Sequence, residues 1–410
     1  MGEAGEAGGT VSGDDVAQAA AGGLFPLSDE QRLVVDTAAA VTHERLRPYA
    51  RDWDRERHLD RPTLEALCAL GFGGIYTRPE FGGSGMGRLD AVLVFEQLAA
   101  GCVSHAAFLS IHNMVAWMID RFGDDDQRAR FVPDLTAGRR IGSYCLTEPD
   151  HGSDAANLTT RARQDGADFV LDGAKVFISG AGFSDLYVVM ARSEGPGSGA
   201  AGISAFVVEA DTLGLSFGPN EHKMGWNAQP TAMVRFEGCR IPSANRIGGP
   251  GQGFRFAMEG LNGGRLNIAA CSLGGAQEAF ERALRYSRER EQFGQAIGDF
   301  QNTAFKLADM DTQLDASRLL LYAAARAFDA AGEGSSADPG LIAHAAKAKR
   351  FVTDACFDVA NQALQIHGGY GYLADYEIER IVRDLRVHQI LEGTNEIMRL
   401  IIARALDDRL

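Results

Sequence analysis

Four short segments carry residue types that can do chemistry. In Leu391-Glu392-Gly393-Thr394-Asn395-Glu396 a carboxylate sits in an apolar context just before a helix starting near Thr394. Burial of such a group raises its pKa toward neutrality and makes it a proton acceptor. In the run from Tyr144 through Cys145, Leu146 and Thr147 to Gly152, Ser153 and Asp154, a strand leads into a loop. Its backbone N–H groups and hydroxyls can face a planar polar ligand. Phe177-Ile178-Ser179-Gly180 pairs an aromatic with a hydroxyl, and Gln365-Ile366-His367-Gly368-Gly369-Tyr370-Gly371 ends a helix in glycines that expose backbone to a close neighbour. Each segment also has a plainer reading. Tyr144 to Asp154 is equally a turn between sheets, and Glu392 an ordinary helix-start acid. His367 and His388 read as satisfied structural histidines, Phe177 as a core residue.

These segments need elements to hold them. From Ser28, which forms a capping box with Gln31, to about residue 140 the apolar spacing is helical, the first helix running until Pro48. Further helices are expected after Pro62 to Gly71, around Ala91 to Leu98 and around Ala106 to Ile119; Asp124 to Asp126 reads as a solvated helix start. Short β-branched and aromatic runs follow: Phe169–Leu171, Val176–Ile178, Leu186–Met190, Ile203–Val208 and Met233–Phe236. With Gly and Asp turns between them, they predict an antiparallel sheet or small barrel. From Gly251 long helical periods return, at Phe300–Ala331 and Pro339–Gln365. The boundaries are therefore 1–24 a disordered tail, 25–140 helical, 141–250 β and 251–410 helical.

Composition removes whole classes. The 410 residues carry a formal charge of −15 with a pI near 5.1, which argues against nucleic acid or an anionic membrane as partner. No run approaches the roughly 20 apolar residues of a membrane span. Six scattered cysteines without a CxxC pair read as buried thiols in a reducing compartment, and no histidine spacing suits a metal. The acidic, Gly/Ala-rich opening lacks the patterns of a secretory or mitochondrial leader, so a cytoplasmic protein is expected. Residues Gly197 to Gly202 match GxGxxG, but strands flank them on both sides. The motif binds a dinucleotide only where a strand meets a helix N-terminus, so a hairpin loop is expected.

Together the segments resemble the flavin-dependent acyl-CoA dehydrogenase family over about residues 25 to 408. Tyr144-Cys-Leu-Thr-Glu-Pro-x-x-Gly-Ser-Asp154 is similar to one family signature. Gln365-x-x-Gly-Gly-x-Gly-Tyr372, followed by Arg380 and Asp384, is similar to a second. Ser110–Met114, Ala116–Asp120 and Gly260–Arg265 resemble the isobutyryl-CoA branch most, with Gly71–Tyr76 matching more loosely. The resemblance implies an α+β fold: an N-terminal helical domain, a central antiparallel β-barrel or sheet and a C-terminal four-helix bundle. It also implies FAD and an acyl-CoA substrate, with Glu392 removing the α-proton while a hydride leaves Cβ for the flavin. The Glu392 backbone N–H and a flavin hydroxyl would hold the thioester oxygen. Some members carry the base beside the arginine corresponding to Arg265; here that position is Gly264.

By the same likeness Tyr144, Cys145, Leu146, Thr147, Gly152, Ser153, Phe177, Ile178 and Ser179 would hold the flavin ring. Arg290, Gln292, Phe293, Phe300, Gln301, Gln365, Ile366, His367, Gly368 and Gly369 would reach its adenine and pyrophosphate end, some from a neighbouring subunit. Thr394, Asn395 and Glu396 would close the site; Ser153, Asn262, Gly263, Gly264, Arg265, Gly393 and Arg404 would contact acyl-CoA. Arg265 and Arg404 are the leading candidates to receive its negative charge. A homotetramer and an electron-transferring flavoprotein as electron acceptor are further expectations. Alternatives are a butyryl-, 2-methylbutyryl- or carrier-tethered acyl substrate, an oxygen-using acyl-CoA oxidase, or a non-catalytic acyl-CoA- or flavin-binding scaffold.

Overall fold

A computed structural model describes residues 24–195, 197–332 and 338–407. The expected disordered tail falls almost wholly outside them. Helix α1 (Asp29–Val41) starts where Ser28 Oγ accepts from the Gln31 N–H and Gln31 Oε1 accepts from the Ser28 N–H, both at 3.1 Å. A π-turn carries it to Leu46, ahead of Pro48. After α2 (Ala50–Glu56), Asp60 caps α3 (Arg61–Leu67), whose continuation passes through Gly71 at φ 87°. The apolar helices α4 (Arg88–Gly101) and α5 (Val103–Phe122) run longer than their hydrophobic cores suggest. Asp124 caps α6 (Asp125–Thr136) through a box with Gln127, so the acidic trio is a helix start.

The sheet runs β6-β7-β3-β2-β4-β5-β8, with β1 also on β4. Its strands are β1 (Gly142–Cys145), β2 (Arg161–Asp165), β3 (Asp168–Ser179), β4 (Leu186–Arg192), β5 (Ile203–Glu209), β6 (Leu215–Phe217), β7 (Thr231–Pro242) and β8 (Arg246–Ile247). Two expectations need correcting. Phe169–Leu171 and Val176–Ile178 form one strand, because Asp172-Gly173 is a bulge against β7 and not a turn. Gly173 sits at φ 146°, and a Cβ there would come within 2.8 Å of Thr160 Cα, so the kink requires glycine. The sheet is also mixed rather than antiparallel. Gly142–Cys145 and then Arg161 pair in parallel with Leu186–Val189 and Arg192 along one edge of β4. The segment between them is thus a loop thrown out of a single strand line, which is how Tyr144–Asp154 is anchored at both ends.

Strands β4 and β5 pair antiparallel, and the GxGxxG stretch lies in their connection, where its last four residues make one short 3₁₀ turn (Gly199–Gly202) that leads into β5 and not into an α-helix. Arg192 donates to Gly199 O at 2.8 Å and pins it as a hairpin loop.

Beyond the sheet come α7 (Gly253–Glu289), the two-stranded β9 (Glu291–Gln292) and β10 (Gln295–Ala296), α8 (Gln301–Ala331), α9 (Pro339–His367), α10 (Ile378–Arg386) and α11 (Asn395–Asp407). Helices α7, α8 and α9 pack lengthwise through alanines, with α11 against α9. One apolar cluster runs from Leu27 and Leu93 through Leu266 to Val359 and Leu385, so the two helical regions share a core. That shared core fixes α7, and with it Gly264, against the chain around Glu392. None of the described helices is long and apolar enough to cross a membrane.

Candidate active site

Glu392 follows α10 and a 3₁₀ turn, and it adopts φ 58° with Gly393 at φ 87°. A left-handed non-glycine residue costs energy, so the surroundings must hold it. Two cations do so on consecutive carbonyls. Arg265 Nε donates to Glu392 O at 3.2 Å, and Lys349 Nζ donates to Gly393 O at 2.9 Å. Lys349 also donates to Asn395 Oδ1 at 2.9 Å, and Asn395 Nδ2 donates to Asp354 Oδ1 at 2.6 Å. Thr394 Oγ1 accepts from the Ile397 N–H, which starts α11 as the sequence suggests.

The Glu392 carboxyl itself is left open. Its Oε2 is buried without a hydrogen-bond partner among the described residues. Burial pushes its pKa up to about 7, outweighing the pull of Arg265 and Lys349 in the other direction. The neighbouring turn of α7 makes room for it, because a Cβ on Gly264 would lie 2.5 Å from Oε2. Gly263 does the same for Arg88, whose guanidinium lies 4.0 Å from the Tyr76 ring centroid and 5.1 Å from that of Trp117.

The Tyr144–Asp154 loop is braced from beneath. Glu148 accepts from the Thr159 N–H at 2.6 Å, the Thr160 N–H at 2.8 Å and Lys175 Nζ at 2.8 Å. Burial alone would raise its pKa, but Lys175 and these donors hold it down at about 2. Lys175 also donates to Leu146 O at 3.0 Å. Above this brace, Tyr144 Oη is buried with no partner among the described residues, Ser153 is exposed, and a Cβ on Gly152 would meet nothing within 4 Å. Phe177 stands at φ 58° with 69% of its surface exposed, so it is not a core residue. Cys145, Leu146 and Ile178 bury their side chains in apolar clusters, so only their main chains can face a ligand. Thr147 O and Ser179 O are already taken, by the Val176 N–H at 2.9 Å and Ser143 Oγ at 2.6 Å.

The second signature builds a separate place. Arg290, Gln292, Ile366, His367, Gly368 and Gly369 line a cavity of about 370 Å³ together with Tyr286 and Tyr370. His367 stacks on Tyr286 at 4.4 Å, and its Nδ1 bonds Ala363 O. Phe293, at the tip of the β9–β10 hairpin, is 95% exposed and touches Phe300 edge-on; Gln301 and Gln365 are exposed. From Lys349 to His367 helix α9 rises about 27 Å. None of Tyr144–Ser153, Phe177–Ser179 or Glu392 lines that cavity within one chain.

One expectation about cations changes. Arg265 is 5% exposed and committed to Glu392 O and to Asn262 Oδ1 at 2.7 Å, so it is no open receiver for a polyanion. Arg404 is exposed on α11, one turn from that helix's end. His388 is a satisfied structural histidine: Nε2 accepts from Trp226 Nε1 and Nδ1 meets Ser272 Oγ, with burial holding it neutral at a pKa of about 3. Sequence reasoning missed Lys349, Arg88 and the Glu148–Lys175 pair. A signal existed for Lys349: it is one of only five lysines, set among Ala345, Ala346, Ala348 and Val352 on an apolar helix face.

Unpartnered buried polar atoms at Tyr144 and Glu392, an exposed aromatic at Phe177 and open glycines at 152, 368 and 369 fit a large cofactor with a planar ring and phosphates. Known proteins agree. Residues 28–139, 143–239 and 251–406 match the family descriptions "Acyl-CoA dehydrogenase" N-terminal, middle and C-terminal domain. The chain is 50% identical over 380 residues to the mitochondrial isobutyryl-CoA dehydrogenase of Dictyostelium discoideum, covering 93% of this chain and 90% of the relative. The solved butyryl-CoA dehydrogenase of Megasphaera elsdenii superposes with a TM-score of 0.89 at 35% identity, over 93% of this chain and 99% of that one. A glutaryl-CoA dehydrogenase from Mycobacterium smegmatis, in complex with FADH2, gives 0.87 at 27% identity, over 93% and 95%. The chain belongs to the acyl-CoA dehydrogenase family, and its cofactor is FAD.

Proposed function

We propose that this enzyme dehydrogenates a short branched acyl-CoA between Cα and Cβ, with isobutyryl-CoA, giving methacrylyl-CoA, as the preferred substrate. The observation that carries the reaction is the buried, unpartnered Glu392 carboxyl with its pKa raised to about 7. A base in that condition is ionised enough to accept a proton at neutral pH and basic enough to take one from carbon. Half of all aligned positions shared with an isobutyryl-CoA dehydrogenase supports the substrate.

In this reading Glu392 accepts the α-proton and its own backbone N–H faces the thioester oxygen, where a preorganised donor is worth about 3 kcal/mol. Bound FAD supplies the hydride acceptor for Cβ. Tyr144 to Ser153 and Phe177 to Ser179 hold its ring, with Cys145, Leu146 and Ile178 contributing main chain. The cavity at Arg290 and His367–Gly369 takes the adenine and pyrophosphate end. Because about 27 Å of helix separates that cavity from the Glu392 loop, the reading includes a second copy of the chain completing each site, as in a homotetramer. Asn262, Gly263, Gly393 and Arg404 are assigned to acyl-CoA, and Thr394 and Glu396 to closing the site. An electron-transferring flavoprotein is the proposed electron acceptor.

The test is Glu392→Gln. Flavin and acyl-CoA binding should persist while bleaching of the flavin by isobutyryl-CoA falls by several orders of magnitude. Near-normal bleaching would reject Glu392 as the base. A panel of isobutyryl-, butyryl-, 2-methylbutyryl- and isovaleryl-CoA with a dye acceptor ranks the substrates; one methylene is worth about 1–3 kcal/mol. A best rate on butyryl-CoA would reject the branched preference.

A further inference from the structure

The loop carrying Glu392 is gripped by a lysine for which the reaction as described has no use. Lys349 is fully buried in α9, inside the helical bundle. Burying an ammonium is unfavourable unless it is paired and hydrogen-bonded, and Lys349 spends its donors on the first and third residues after the base: Gly393 O and Asn395 Oδ1, both at 2.9 Å. Asn395 is turned toward it by Asp354 and Thr353, which bond its Nδ2 at 2.6 and 3.0 Å. Neither Gly393 nor Asn395 brings a compensating negative charge. A neutral donor such as glutamine would satisfy the same two acceptors at smaller desolvation cost, so the charge itself needs a reason.

We propose that Lys349 is a positioning residue for the base: it fixes the Glu392–Gly393 turn, and its positive charge sets the pH at which Glu392 becomes a proton acceptor. The inference rests on Glu392 being the base. The charged groups acting on Glu392 are Arg265 and Lys349, both favouring its ionised form, and Tyr76 and Tyr144 face it with phenols that burial keeps neutral. Burial brings Lys349 down to about 7, against Glu392, Asp354 and Glu396, which favour the ammonium, and together with Arg265, which opposes it; the ammonium is therefore present on the acid side of the profile, where Glu392 begins to ionise. His388, close enough to feel Lys349, is neutral. A cation in a low-dielectric interior acts strongly on a neighbouring carboxyl. Removing it must therefore raise the pH at which Glu392 ionises, whereas a purely mechanical tether leaves that pH unchanged.

The experiment uses the FAD-loaded enzyme mixed rapidly with isobutyryl-CoA, following flavin bleaching across pH 5.5–9. Lys349→Met and Lys349→Gln remove the charge, and the glutamine keeps a donor for Gly393 O. Both should move the rising limb of the profile up by about one pH unit, so that the rate near pH 6.5 falls about tenfold and recovers at high pH. Flavin content and acyl-CoA affinity should stay within about threefold. Lys349→Arg, which keeps the charge, should hold the limb within about 0.3 units. A limb that stays put in both neutral variants, or an equal loss at every pH, overturns the proposal. Should neither neutral variant fold, the arginine variant still tests the proposal: a limb displaced by more than about 0.3 units, or a rate loss equal at all pH, overturns it. Glu392→Gln run alongside separates the two ideas. If it bleaches normally the base assignment fails; if it is inactive and the Lys349 limb has not moved, only this inference falls.

Discussion

Gly264 and Glu392 form a matched pair: the missing side chain of one is the space occupied by the carboxyl of the other, 2.5 Å from where a Cβ would stand. The two residues lie on different elements, so the shared apolar core that positions α7 also sets the room available to the base.

Gly264→Ala puts that relationship to the test. Alanine favours the helix interior over glycine by about 0.5–1 kcal/mol, so the melting temperature should hold or rise. The Glu392 carboxyl must swing aside, and a displacement of about 1 Å is enough for roughly a hundredfold loss of turnover. Unchanged turnover with unchanged flavin content would show that the carboxyl has another place to sit.

Stability should carry a pH signature of the same carboxyl. Burial raises its folded pKa to about 7 from the ordinary 4.5 of a glutamate. Its contribution is therefore fully present below the unfolded value and is lost as pH rises through about 7. Glu392→Gln should exceed the parent in stability by about 3 kcal/mol at pH 8 and by under about 1 kcal/mol at pH 5. Thermal unfolding across that range measures it; a constant difference would contradict the raised pKa.

Glu148 behaves in the opposite sense. Held at a pKa of about 2 by Lys175 and the Thr159–Thr160 amides, it contributes stability that is present above the unfolded value and lost as pH falls toward 2. Glu148→Gln leaves the buried Lys175 without its counter-charge, and the expected cost is about 3–5 kcal/mol. Flavin retention should fall with it, since the loop holding Tyr144 and Ser153 loses its brace. Melting curves and the flavin-to-protein absorbance ratio read both effects.

Arg290→Ala addresses the second cavity. Arg290 lines it and sits 5.6 Å from the Tyr370 ring centroid. If this cavity takes the phosphate end of FAD, loss of one such charge-assisted contact should weaken flavin retention by about tenfold. Equal flavin content after gel filtration at high dilution would remove Arg290 from the cofactor site.

The sequence by itself determined the helical–β–helical order, the Ser28 and Asp124 caps, the hairpin nature of the GxGxxG decoy and the segments around Tyr144 and Glu392. These are legible because capping, hydrophobic period and turn chemistry act over a few residues. The same locality misled at Asp172-Gly173, where a bulge mimics a turn, and at β1, whose parallel pairing with β4 depends on a strand about forty residues away. Only tertiary structure decided that Arg265 grips a carbonyl instead of meeting solvent, that Lys349 and Gly264 flank the base, and that the two cofactor signatures lie apart in one chain. The physical reason is that burial and charge pairing are properties of neighbours in space. No local spacing tells a lysine on an apolar helix face that residues 392 to 395 will fold back onto it.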